Sequence, residues 1–256
     1  MRYSVGIPTC DRFDALTRTV VAFKRQTVLP ESIAIINNNT DRSPMLLTGP
    51  IWDHVVTLPN LHPTRGPEQA HQAFLDFIKR TVEIAVRFDD DLLPEPDCME
   101  KMLRHFEDST VNCVGGCYPR EGKPVWEGGP CGGRPSPDGD PNHIQFYRWG
   151  SWTKPVRVNS LYSGFMYRVK EMIEAGGFYT GYSKLGFRGE TDATLRLGGC
   201  LVDPEACATH LLAAGGVRSF TEAERIKLEA HDNALFGYRM NALKIDTSKG
   251  HVRVLA

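Results

Sequence analysis

Asp89-Asp90-Asp91 is the stretch whose residue types most clearly point to chemistry. It follows Val82 to Phe88, an apolar-rich run that reads as a β-strand, and it precedes Leu92-Leu93-Pro94. In an open parallel sheet, ligands bind beyond the carboxyl ends of the strands. Adjacent carboxylates there repel one another unless a cation neutralises them. Mg2+ and Mn2+ take oxygen ligands and commonly bridge one or two carboxylates to a substrate phosphate. The competing reading is a solvated turn whose acids cap the next helix. A second group of interest is Trp126, Tyr147, Trp149 and Trp152. Aromatic faces of this kind either stack on sugars or form a local core that pins a long loop. Cys113 and Cys117 are close in sequence, but no second pair at zinc-finger spacing follows, and a tetrahedral zinc site needs four ligands.

The elements that must hold these residues alternate in type. Tyr3 to Ile7, Ser32 to Ile36, Val55 to Leu58 and Val82 to Phe88 read as strands. Asp14 to Gln26, Pro67 to Arg80 and Asp97 to Phe106 carry apolar residues at helical spacing. Strands alternating with helices imply crossover connections, so the expected fold class is α/β, with a Rossmann-like, mostly parallel central sheet flanked by helices. From Tyr118 to about Asn159 the pattern breaks into a Gly- and Pro-rich, loop-rich stretch. Regular signals return at Leu161 to Tyr167, in helices from Val169 to Ala175 and from Glu190 to Gly198-Gly199, and in a short strand near Leu201. The end of the chain, Thr221 to Lys244, is mostly helical and polar. The expected organisation is a first half over 1–117, a second half of the same domain over 118–220, and a helical tail over 221–256.

Composition limits the function classes. A chain of 256 residues folds with roughly 11,000 Å² exposed of roughly 41,000 Å² when extended, which is enough burial for a core without staples. The net charge of -1 leaves no global basic field, which argues against sequence-independent nucleic-acid binding. No apolar run approaches the length needed to span a bilayer. Seven cysteines without a regular framework, and an N-terminus without signal-peptide character, point to a reducing, cytoplasmic setting.

Several ordered blocks then resemble the nucleotide-sugar glycosyltransferases of the GT-A fold, particularly family 2. Tyr3 to Arg12 resembles the opening strand and nucleotide loop, with Pro8, Thr9, Asp11 and Arg12 as donor-binding candidates. Ile35-Ile36-Asn37 resembles the end of the second strand, with Asn37 where the family usually places an Asp against the base. Arg65-Gly66 occupies the place of a segment that reaches the nucleotide or its phosphates. Asp89-Asp90-Asp91 matches the metal-binding Asp-x-Asp, with Asp89 and Asp91 as metal ligands and Asp90 beside the donor. Ser163-Gly164-Phe165 resembles the strand lining the donor sugar, with Gly164 as a contact.

Gly189 to Leu197 resembles the family's Glu-Asp-x-Asp-Leu segment. Aligned on Leu195-Arg196-Leu197, the general base falls on Glu190, and a slip of two residues puts it on Asp192. Residues two apart on a helix point to different faces, so only one of them can aim at the acceptor. Both acids would also suit a helix N-terminal turn without any catalytic role. His210 stands where some metal-dependent relatives place a further ligand, and Arg218 where a closing loop meets the diphosphate; each is also readable as an ordinary structural or loop residue.

The resemblance implies a Mn2+- or Mg2+-dependent transfer of a hexosyl or N-acetylhexosaminyl group from a nucleoside diphosphate sugar, UDP-sugar favoured, to an acceptor hydroxyl, with inversion. The acceptor is a glycan, a lipid-linked sugar, a natural product or a protein. Peripheral membrane contact stays compatible with this, and nucleic acid is not expected as a partner. The alternatives are a sugar-nucleotide nucleotidyltransferase, whose Gly-rich phosphate cradle is missing here, and a non-catalytic carbohydrate-binding protein on the same fold.

Overall fold

The structure, a computed structural model, describes residues 1–38, 49–119, 121–122, 154–215 and 219–243, and the backbone of 132–135 and 144–146. Strand β1 (Tyr3–Thr9) leads to helix α1 (Phe13–Phe23), and β2 (Ser32–Asn37) and β3 (Val55–Pro59) follow. Helix α2 (Pro67–Ile78) crosses back to β4 (Ile84–Arg87) and the short β5 (Leu92–Pro94). Helix α3 (Cys98–Leu103) continues as a 3₁₀ turn and returns the chain to β6 (Cys113–Cys117). Next come β7 (Gly132–Pro135), β8 (Ile144–Phe146), β9 (Val156–Val158), β10 (Ser160–Leu161) and β11 (Phe165–Arg168). Helices α4 (Val169–Glu174) and α5 (Gly189–Leu197), strand β12 (Cys200–His210) and helix α6 (Glu222–Ala242) complete the fold.

The main sheet runs β3-β2-β1-β4-β11-β6-β12-β5, and β9 pairs with β12. Its first four strands are parallel, and β6 is parallel to β12, while β11 is antiparallel to both of its neighbours. This is the mixed α/β architecture expected. Alternation along each strand divides the core between two faces. Tyr3, Val5, Ile7, Ile33, Ile35, Ile84 and Val86 face α1 and α3, where Leu16, Val20, Phe23, Met99 and Met102 pack. Ala34, Ile36 and Ala85 face α2, α4 and α5, where Phe74, Leu75, Met172 and Ala193 pack. Arg87 follows Ala85 by two residues and so falls on the α2–α5 side, although it is charged and only 1% exposed.

Two elements depart from the sequence reading. Strand β6 has the sequence Cys-Val-Gly-Gly-Cys, which has little strand propensity. Its glycines are needed for contact: a Cβ on Gly115 would meet Leu161, and one on Gly116 would collide with the Ala206 carbonyl. Strand β12 is far longer than the short strand expected near Leu201. It passes through Pro204 by a register shift between Val202 and Cys207, then pairs Ala208 to His210 with β5. Within the stretch expected to be irregular, β7 and β8 join β10 in a separate three-stranded sheet. Trp126, Tyr147, Trp149, Trp152 and Arg218 lie outside the described residues.

Candidate active site

The carboxyl ends of β1, β2 and β4 open into a cleft of about 670 Å³, within the range usual for small-molecule sites. Pro8 and Thr9 line it from the end of β1, Arg12 from the loop that follows, and Arg65 from the approach to α2. Asp89 and Asp91 enter from the loop after β4, Glu190 from the first turn of α5, and His210 from the end of β12. Residues far apart in sequence thus converge on one concavity, as the parallel strand ends require.

The acidic run is divided in role. Asp91 accepts from Arg12 Nη1 at 3.1 Å and from the Ala213 amide at 3.1 Å, and its Oδ2 lies 3.5 Å from His210 Nε2. Pairing of β12 with β5 produces that last approach, since His210 is in register with Leu92. Asp90 turns inward instead. It is fully buried, accepts a 2.7 Å bond from the Thr9 hydroxyl and pairs with Arg12, so it ties the β1 loop to the β4 loop from beneath and does not line the cleft. Burial pushes its carboxyl up to about 7, against the pull of Arg12 and Thr9. Two carboxylates and an imidazole form a donor set that suits Mn2+ or Mg2+. The adjoining pair Asp91 and His210, with Asp89 in the same cleft, fits such an ion when substrate oxygens complete its shell. Among the described residues, no group of three or more His, Cys, Asp or Glu side chains already stands at coordinating separation.

Glu190 and Asp192 are separated by the geometry of α5. Glu190 reaches the cleft with a quarter of its side chain exposed. Its Oε1 accepts from Arg87 Nη1 at 2.5 Å, and its Oε2 accepts from the Ser163 amide at 3.2 Å. Burial raises its proton affinity above that of an ordinary glutamate, opposed by Arg87. Asp192 points the other way and is fully buried. It accepts from Arg196 and Arg239 at 2.5 Å each and from the Tyr182 hydroxyl at 2.8 Å. Its burial would raise its pKa, yet those arginine contacts prevail and hold it below the usual range. Of the two acids, the one in position to meet a substrate is Glu190; Asp192 joins α5 to α6.

Other expected residues are near the cleft without lining it. Asn37 ends β2, and the next residue, Asn38, forms the wall. Asn38 Oδ1 accepts from Asn60 Nδ2 at 2.7 Å, and Asn60 Oδ1 accepts from the His62 amide at 3.1 Å, so the amide orientation is set by a backbone donor. Asp11 is exposed with a left-handed φ of 56° and stands outside the lining. Gly164 is buried, its carbonyl accepting from the Tyr118 hydroxyl at 2.5 Å. A Cβ there would collide with the Phe88 ring, so this glycine serves packing beneath the site.

A further part of the rim was not visible as a site in the sequence. Lys184, Phe187 and Arg188 line it from the segment before α5. Asp232 of α6 fixes that segment: it accepts from the Ser183 amide at 2.8 Å, the Ser183 hydroxyl at 2.7 Å and the Phe187 amide at 2.9 Å. Arg188 Nε donates to Asn233 at 3.0 Å. Helix α6 begins at a capping box between Thr221 and Glu224 and packs Phe236 and Met240 on Leu195 and Tyr182. Left-handed backbone at non-glycine residues also concentrates here: Arg65, Ser163, Arg188 and Leu212 line the cleft at φ of 50°, 57°, 72° and 53°. Such conformations are uncommon and gather at functional sites.

Solved structures share this fold. The structure of GalNAc-T7 with UDP, GalNAc and Mn2+ superposes at a TM-score of 0.66 with 15% identity, over 86% of this chain and 46% of that one. That of TarS from S. aureus superposes at 0.60 with 10% identity, over 83% of this chain and 37% of that one. Both share the GT-A fold, and this chain spans less than half the length of either. No curated protein matches the sequence as a relative. The profile of glycosyl transferase family 2 matches residues 4–170, well over half of the chain. The chain therefore belongs to glycosyl transferase family 2.

Proposed function

We propose that the cleft binds a nucleoside diphosphate sugar, UDP-sugar favoured, and transfers its glycosyl group to an acceptor hydroxyl with inversion. The observation that carries this reading is the convergence of Glu190 with Asp89, Asp91 and His210 on one cleft that Arg12 and Arg65 also line. GalNAc-T7, a structural relative, was solved with UDP and Mn2+.

The residues divide the work by position. Asn38, beside the strand ends, meets the base, and Arg65 adds positive charge toward the phosphates. Asp89, Asp91 and His210 would hold a divalent cation, which supplies charge neutralisation at the leaving diphosphate. Arg12, already on Asp90 and Asp91, keeps those loops in place. Glu190 accepts the acceptor's proton as the new glycosidic bond forms and the bond from the anomeric carbon to the phosphate oxygen breaks, its electrons leaving with the diphosphate. The acceptor enters by the rim of Lys184, Phe187 and Arg188.

A panel of UDP-sugars, scored for hydrolysis or transfer, tests this. Glu190→Gln is expected to lower turnover by about 10²–10⁴-fold, the usual contribution of a general base, with the affinity for the donor little changed. Unchanged turnover, or loss of donor binding in place of turnover, contradicts the assignment.

A further inference from the structure

Arg87 is the one guanidinium among the described residues buried between two carboxylates from different helices. Its Nη1 donates to Glu190 Oε1 at 2.5 Å and to the Ser163 carbonyl at 2.9 Å, and its Nη2 donates to Glu68 Oε1 at 3.2 Å. Glu68 is fully buried in the first turn of α2, and Glu190 occupies the first turn of α5. The two helix starts abut so closely that a Cβ on Gly189 would collide with the Glu68 side chain. The end of β4 therefore presents a cation to two converging helix N-termini, where negative charge is already favoured.

This arrangement is a poor choice for stability alone. Desolvating ions is costly, and well-packed apolar side chains often replace a buried pair without loss. The network is also left incomplete: among the described residues, Arg87 Nε and Glu68 Oε2 find no hydrogen-bond partner, nor does either ring nitrogen of His71 or the Tyr167 hydroxyl. Buried polar atoms in that state call for an explanation in function. Arg87 and Glu190 both border the cleft, but Glu190 has a quarter of its side chain exposed there whereas Arg87 is all but fully buried behind it. Arg87 and the Ser163 amide hold the two Glu190 oxygens separately, which fixes the plane of the carboxylate.

We propose that Arg87, anchored by Glu68, is the positioning residue of the catalytic carboxylate: it fixes the orientation of Glu190 and sets its basicity without touching substrate. This rests on the assignment of Glu190 as base. The charged and titratable groups around Glu190 are Arg87 on β4, Asp89 on the loop after it, Glu68 on α2, Tyr162 ahead of β11 and Arg188 ahead of α5. Arg87 is the cation hydrogen-bonded to it.

The test compares Arg87→Lys, the double variant Arg87→Met with Glu68→Gln, and Glu190→Gln. The double variant removes the buried cation together with the buried acid that accepts from it, so it keeps the question open to measurement if Arg87→Met alone does not fold. Two readouts are taken: turnover and Michaelis constant on whichever UDP-sugar of the panel the wild type hydrolyses, and the titration of the Glu190 carboxyl by carbon NMR, identified by its absence in Glu190→Gln. Expected are a fall in kcat of about tenfold or more in the double variant with the donor Michaelis constant within about threefold. An upward displacement of the Glu190 midpoint should accompany it, because a neighbouring cation is gone. Arg87→Lys should restore part of that midpoint but not full turnover, since lysine cannot make the forked contact. A folded double variant with wild-type kcat, or with an unmoved Glu190 midpoint, overturns the proposal. Full activity in Glu190→Gln overturns instead the assignment of the base; the NMR readout stands even if no donor in the panel is hydrolysed.

Discussion

Glu68 sets the charge balance beneath the cleft. Burial pushes its carboxyl up to about 8, against the pull of Arg87, so it carries a proton through the neutral range and leaves Arg87 to Glu190. A folded-state pKa above the unfolded value near 4.5 means that the folded protein binds this proton more tightly. The associated stability is complete below about 4.5 and is lost as pH rises through about 8. Glu68→Gln removes that dependence, which amounts to about 1.4 kcal/mol for each pH unit crossed between the two values. The difference in Tm between variant and wild type should therefore grow in the variant's favour from pH 5 to pH 9. A difference constant across that range contradicts the buried, protonated state. Little of this was legible in the sequence. Arg87 reads there as one polar position in a strand, and its partners stand 19 and 103 residues away. The acids Asp89 and Asp91 were legible because they adjoin a strand end, and the buried role of Asp90 was not, because only the fold shows which of three neighbours turns inward.

At the scale of elements, helix α6 does more than close the chain. Its Asp232 accepts three hydrogen bonds from the segment that forms the cleft rim, and its Arg239 holds Asp192 at the back of α5. Asp232→Ala leaves two backbone amides without partners, at a cost of roughly 1–3 kcal/mol for each buried group so exposed. The variant is expected to lose several degrees of Tm and to raise the Michaelis constant for acceptor or water attack more than nucleotide affinity, as followed by thermal melting and UDP calorimetry. An equal loss of UDP affinity would mean that the rim belongs to the donor side. The sequence pattern showed a polar helix here but not its purpose, since Asp232 looks like any solvated acid until Ser183 and Phe187 are placed against it. The apolar alternation of β1 and β2 and the glycine end of α5 were readable directly. Strands β6 and β12 were not, because one is built from small residues chosen for close approach and the other passes through a proline at a register shift.

For the whole molecule, both layers of helices and the crossing strands serve one end of the sheet. Three loops, a helix start and a strand end, all distant in sequence, bring Arg12, Arg65, Asp91, Glu190 and His210 to a cleft of about 670 Å³. The order of blocks along the chain made the family legible, because the first four stand at or just beyond the ends of β1, β2, β3 and β4, the parallel part of the sheet. The pairing of Asp91 with His210 depended on a long-range register that no local pattern reveals. The proposed function requires this cleft to bind a nucleoside diphosphate through a divalent cation held by Asp89, Asp91 and His210. Calorimetric titration of UDP into the full chain, with Mn2+ and again after chelation, tests it most directly when repeated on Asp91→Asn. Expected is binding with Mn2+ that weakens by about tenfold or more, about 1.4 kcal/mol, on chelation and likewise in Asp91→Asn. UDP affinity that is indifferent both to Mn2+ and to Asp91 would contradict it.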